Sequence, residues 1–96
     1  MTTKQFTIYQ LTNTDKLFMG YDPKNFTMDD YKVVAAGEIE TTDKDVLNDI
    51  FNSGNVGEIR ANNPKMHSIS VSDVIEVDGI KYYVENFGFV NLTLSK

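Results

Sequence analysis

The dipeptide Asp78-Gly79 stands between two runs of strand formers, VIEV at 74–77 and IKYYV at 80–84. Both turn residues tolerate the positive φ angles that a two-residue connection demands, so the pattern specifies a tight β-hairpin and fixes its register from the turn outward. Val77 then faces Ile80, Glu76 faces Lys81, Ile75 faces Tyr82 and Val74 faces Tyr83. One side of the hairpin is apolar throughout (Ile75, Val77, Ile80, Tyr82 and Val84). The other carries the opposite charges of Glu76 and Lys81, a cross-strand contact of at most about 1 kcal/mol.

The rest of the chain supplies partners for that apolar face. KQFTIYQL (4–11) alternates Phe6, Ile8 and Gln10 against Thr7, Tyr9 and Leu11 and reads as a first strand. TNTD (12–15) is a turn cluster. Pro23 can open a short helix capped by Asp22, with one or two turns expected in PKNFTMDDY. YKVVAAGEIE (31–40) reads as a second strand with Tyr31, Val33, Ala35 and Ile39 inward and Gly37 as a phase-shifting bulge. The clearest helix follows: Thr42 is its N-cap, Val46, Leu47, Ile50 and Phe51 share one face, and Gly54 is its stop. Asp43 and Asp45 suit the positive end of the helix dipole. NSGNVGEIRANNP (52–64), rich in asparagine, glycine and proline, reads as a long surface loop. Asn86 and Gly88 mark a last bend before a strand over Phe89–Leu94. The expected fold is α+β, a small antiparallel sheet with one main helix packed on it and a C-terminal β-hairpin, in a single domain over 1–96.

HSISVSD (67–73) gathers three serines, an aspartate and the chain's one histidine into seven residues. A nucleophilic serine needs a base, an orienting acid and an oxyanion hole, and neighbours on an extended chain point to opposite faces. The alternation of Ile69 and Val71 against Ser68 and Ser70 reads instead as a short strand. Ser70, Ser72 and Asp73, like Asp78 and Gly79, are assigned a structural role, with side-chain oxygens of Ser72 and Asp73 bonding nearby amides in a turn or bulge. One histidine and no cysteine make no metal site, and the glycines at 54 and 57 lack the lysine and hydroxyl residue of a phosphate loop. No catalytic residue, metal or cofactor is therefore expected. With no cysteine, no leader-like N-terminus and no apolar run near the roughly 20 residues that span a bilayer, the chain is expected to be soluble and cytoplasmic, with no membrane partner.

The net charge of −5 is unevenly placed. Asp29, Asp30, Glu38, Glu40, Asp43, Asp45 and Asp49 stand against only Lys32 and Lys44, so that segment alone carries −5 and the remainder is neutral. Such a chain repels nucleic-acid phosphate, so direct nucleic-acid binding is not expected. Either the acids are a solvated face that aids solubility, or they form a docking surface for a basic protein partner.

SISVSDVIEVDGIKYYVENFGF (68–89) resembles the C-terminal signature of the YodL-like domain, in which a serine-rich SLSVSDVV precedes a hairpin, an aromatic pair and a terminal GF. IYQL, LFMGYD, YKVVAAGEIE and LNDIFN follow the same family's order of strand, aromatic turn, strand and helix, which extends the resemblance over roughly residues 6 to 92. The departure is NSGNVGEIRANNP, where the family has a shorter segment. The family consists of small proteins and modules of Gram-positive bacteria and their mobile elements, and some small inhibitors of bacterial defence resemble it. The resemblance therefore implies a non-enzymatic phage or mobile-element protein. Its expected role is an anti-CRISPR one, binding an RNA-guided nuclease through the acidic surface. The alternative is an accessory or homodimeric module of a conjugative element.

Overall fold

The computed structural model describes residues 2–12, 26–41, 46–64, 66–85 and 88–92. Five antiparallel strands form one sheet in the order β2-β1-β3-β4-β5. They are β1 (Thr2–Leu11), β2 (Tyr31–Thr41), β3 (Val74–Val77), β4 (Ile80–Glu85) and β5 (Gly88–Asn91), with helices α1 (Val46–Val56) and α2 (Glu58–Asn62) between β2 and β3. This is the expected α+β architecture. The hairpin register is the one dictated by Asp78-Gly79, with Val77 opposite Ile80 and Val74 opposite Tyr83. Both turn residues adopt positive φ, 50° at Asp78 and 85° at Gly79, which is why a glycine occupies the second place.

Phe6, Ile8 and Gln10 are all buried on one face of β1, as their alternation requires. Phe6 and Ile8 join Ile75, Val77 and Val84 from the hairpin, and Ile50 of α1 closes the core over them, with Val46, Leu47 and Phe51 packed around it. The Phe51 and Phe89 rings meet edge to face at 6.4 Å, which ties α1 to β5.

Several expectations are corrected. Val33 is 57% exposed, because the phase shift falls at Val34, where consecutive β1 residues Ile8 and Tyr9 pair with Ala35 and Val33. Gly37 stays in register opposite Phe6, whose ring a Cβ would meet at 3.5 Å, and Val34 packs against the core in place of Val33. Tyr31 lies half-buried on the face opposite the helices, together with buried Val74 and Tyr83, so the sheet has a second apolar cluster where one was expected to be polar. Ile80 at the hairpin tip is 39% exposed.

Residues 52–64 are largely helical rather than a loop, and Gly54 is a buried position within α1. The polar residues that suggested a loop are caps: Ser53 Oγ accepts from Ile59 N–H at 3.1 Å, and Asn63 Nδ2 donates to the Ile59 carbonyl at 2.9 Å. A 3-10 turn at Met28–Asp30, capped by Thr27, is the described part of the short helix expected after Pro23. Thr42, Asp43, Lys44, Asp45, Asn86 and the segment 13–25 lie outside the described residues, and the described part of the last strand ends at Asn91.

Candidate functional site

Residues 67–70 belong to no strand, contrary to expectation. The chain there is held by two primary amides that act as substitutes for a neighbouring strand. Gln10 Nε2 donates to the His67 carbonyl at 2.8 Å, and its Oε1 accepts from His67 N–H at 3.0 Å. Two residues on, Asn55 of α1 repeats the arrangement on Ile69, accepting from its N–H at 2.5 Å and donating to its carbonyl at 3.3 Å. The backbone N–H and carbonyl of both His67 and Ile69 are thus satisfied without a ladder. Ile69, pinned in this way, drives into the core against Gly54, where an added Cβ would stand 2.3 Å from its Cδ1.

Asp73 closes the segment. Its Oδ2 accepts from Ser70 N–H at 3.0 Å and from Gln10 Nε2 at 3.2 Å, while its own N–H returns to the Ser70 carbonyl at 3.1 Å. Burial pushes this carboxyl up to about 6, against the opposing pull of the Ser70 amide, the Gln10 amide and the charge of His67. Ser72 between them is fully buried with φ 88°, a left-handed conformation uncommon outside glycine. Its N–H bonds the Val84 carbonyl at 3.0 Å and its carbonyl accepts from the Tyr31 hydroxyl, so backbone contacts on both sides hold the strained residue. Burial, reinforced by neighbouring Tyr83 and Asp73, drives the Tyr31 phenol well above its usual range. Burial with Glu85 and Asp73 pushes Tyr83 up to about 12. Both remain neutral at ordinary pH, as Tyr31 must to donate. Phe26 completes this cluster, 5.7 Å from the Tyr31 ring and 5.9 Å from the Tyr83 ring.

The same open face of the sheet carries a charged trio. Tyr9 donates to Glu76 at 2.9 Å, and Lys81 pairs with the same carboxylate oxygen at 3.1 Å. Partial burial opposes ionisation of Glu76, but these two donors and the lysine charge outweigh it, and its carboxyl titrates below the usual range.

Ser70, Ser72, Asp73 and His67 thus lie close together, yet the bonds joining them run through backbone groups. Ser72 is sealed from solvent and His67 is exposed. Asp78 and Gly79 make the hairpin tip, where Asp78 also pairs with Lys4 at 3.1 Å. The described acidic residues of that segment do not gather in one place. Asp29 and Asp30 precede β2, whereas Glu38 and Glu40 are exposed near its far end, roughly 25 Å away at the rise of an extended strand. Asp49 is half-buried on α1 and accepts from the Thr41 hydroxyl, making it part of the β2–α1 junction. Among the described residues, no cluster of histidine and carboxylates is arranged to hold a metal ion.

Gln10, Asn55 and Tyr31 are the residues that reasoning from sequence missed. Gln10 did carry a signal, as a polar residue on the apolar parity of β1.

The fold and this network define a small α+β domain whose distinctive serine-rich segment is a structural latch anchored by buried Ile69, Ser72 and Asp73. The chain belongs to the YodL-like domain family, whose profile matches residues 5–94. No curated protein and no solved structure matches it.

Proposed function

We propose that this chain is a non-enzymatic inhibitor from a phage or mobile element that acts in the bacterial cytoplasm. Its target on this reading is a host defence nuclease of the RNA-guided, anti-CRISPR-sensitive type. The observation that carries the reading is the exposure of Glu38 and Glu40 on β2, an edge strand of a chain whose net charge is −5. Nucleases of that type hold nucleic acid in a positively charged channel, and an acidic edge can be steered to such a surface. The serine-rich segment supports a binding role over a catalytic one, since its most buried members are occupied in holding the backbone. No helix among the described residues is long and apolar enough to cross a membrane.

The test is capture of candidate RNA-guided nucleases by the tagged protein, with and without guide RNA, followed by DNA cleavage. Stoichiometric capture with loss of cleavage is expected, and E38Q/E40Q should slow association and flatten its salt dependence. Capture without any loss of cleavage would count against inhibition.

The open length of β2 favours a second reading, an accessory module that dimerises edge to edge. The bulge at Val34 and the charges of Lys32, Glu38 and Glu40 interrupt such a ladder, which is why it ranks below the first. A concentration-dependent mass in sedimentation would reverse that order.

A further inference from the structure

A trough runs beside β2 on the helix side of the sheet. Its main part, a groove of about 700 Å³, lies between the half of β2 beyond the Val34 bulge and the helices α1 and α2. A smaller hollow of about 310 Å³, lined by Val34 and Met66, continues it, and Asn62 and Asn63 line both. Cross-strand partners share one face of a sheet, so the pairing with β1 sorts β2 into two sets. Gly37 and Ile39, opposite Phe6 and Lys4, lie on the trough side, and Gly37 places no side chain over the Phe6 ring. Glu38 and Glu40, opposite Gln5 and Thr3, are turned to the open face, exposed and beside neutral neighbours on β1. Among the described residues, no strand pairs with the outer edge of β2.

We infer that the outer edge of β2 takes up an extended segment of a protein partner as a further antiparallel strand, one in which apolar residues alternate with lysines or arginines. An edge strand leaves every second N–H and carbonyl pointing outward, and an extended peptide laid along it engages them in a ladder. Side chains of the added strand alternate between the two faces. One set enters the trough over Ile39 and Ile59, which selects apolar residues. The other set stands beside Glu38 and Glu40, where a cation completes a cross-strand charge pair and an acid is repelled. A second copy of β2 does not meet this pattern. Its open-face residues beyond the bulge are Ala36, Glu38 and Glu40, and its Lys32, opposite Gln10, lies on the other face. The inference rests on the reading of the chain as a protein-binding module and specifies the form of the segment it binds.

The probe is a capped seven-residue peptide alternating valine with lysine, titrated into the isotope-labelled full chain while amide NMR shifts and hydrogen exchange are followed. Saturable shifts over residues 35–41 and at Asn62 are expected, with protection gained at every second amide of 35–41. The counterpart with glutamate in place of lysine should not bind. E38Q/E40Q should bind the lysine peptide about tenfold more weakly, as the loss of two cross-strand charge pairs implies, yet bind a threonine-for-lysine counterpart as wild type does. Asn62→Trp, which fills the trough from an exposed position, should weaken binding of both peptides. An unchanged far-UV circular dichroism spectrum checks the fold of each variant. No saturable shift up to about 5 mM peptide would overturn the inference, as would protection without the alternation or shifts centred on Tyr9 and Lys81. Protection of the same amides in the peptide-free protein, rising with its concentration, would give the edge to a second copy and overturn it too. Capture of a nuclease equally by wild type and Asn62→Trp would overturn the trough and leave the inhibitor reading standing. Alternating protection by the peptide with no nuclease captured would do the reverse.

Discussion

Gln10 and His67, 57 positions apart in sequence, exchange two hydrogen bonds in which a side-chain amide takes the place of a strand. Gln10 is 3% exposed and spends its remaining donor on Asp73, so one side chain ties β1 to both ends of the segment 67–73. Asn55 does the same for Ile69 from the helix side.

Gln10→Leu is expected to destabilise the fold by about 2–3 kcal/mol, since three hydrogen bonds are lost and buried partners are left unpaired. Gln10→Glu can still accept from His67 but cannot donate, and it sets a second carboxylate beside Asp73. Its penalty should therefore be larger at pH 7.5 than at pH 5 in urea denaturation. Asn55→Ala should cost about 1–2 kcal/mol. A double-mutant cycle should return a coupling of about 0.5–1 kcal/mol if the two amides hold one cooperative unit. Strict additivity would mean that they act separately.

Asp73 sets a pH dependence of defined sign. Its folded pKa, about 6, lies above the ordinary 3.8, so the folded state binds more protons than the unfolded state between those values. Stability from this group is fully present below the unfolded pKa, falls as pH rises through the window, and levels off above the folded value, with a span on the order of 2–3 kcal/mol. Asp73→Asn keeps an acceptor for the Ser70 and Gln10 donors without the charge. The variant should match or exceed wild type at pH 7.5, and the difference between the two stability curves should vanish near pH 4. A difference curve that is flat across pH 4–7 would show that the carboxyl is not held up by burial.

Gly54→Ala tests the contact between α1 and the latch. The helix gains intrinsic propensity of about 1 kcal/mol, but the new methyl collides with Ile69, whose backbone is fixed by Asn55. The net effect expected is a loss of about 1–2 kcal/mol in thermal or chemical denaturation. Adding Ile69→Val removes the Cδ1 that the methyl meets at 2.3 Å and should recover part of it. A stabilised single variant would mean that Ile69 relaxes freely and that the amide clamp is weak.

Where structure depends on neighbours in the chain, the sequence alone was sufficient. The Asp-Gly turn set the register of β3 and β4, the alternation of Phe6, Ile8 and Gln10 set the buried face of β1, and Val46, Leu47, Ile50 and Phe51 set the buried face of α1. The family signature was legible in the same way, as a local string of residues. Tertiary structure decided the rest, because it concerns groups that meet across the fold. Whether Ser53 and Asn63 are loop residues or helix caps depends on whether Ile59 finds a core to fill. Whether the serine-rich segment becomes a strand depends on what reaches its backbone, and two amides from β1 and α1 arrive there instead of a strand. The described acids of the run, Asp29 and Asp30 at one end of β2 and Glu38 and Glu40 near the other, are dispersed because an extended strand carries its ends some 25 Å apart. Periodicity reports a residue's preference for a face. The partner that satisfies a buried polar group can come from anywhere in the chain, and only the assembled fold says from where.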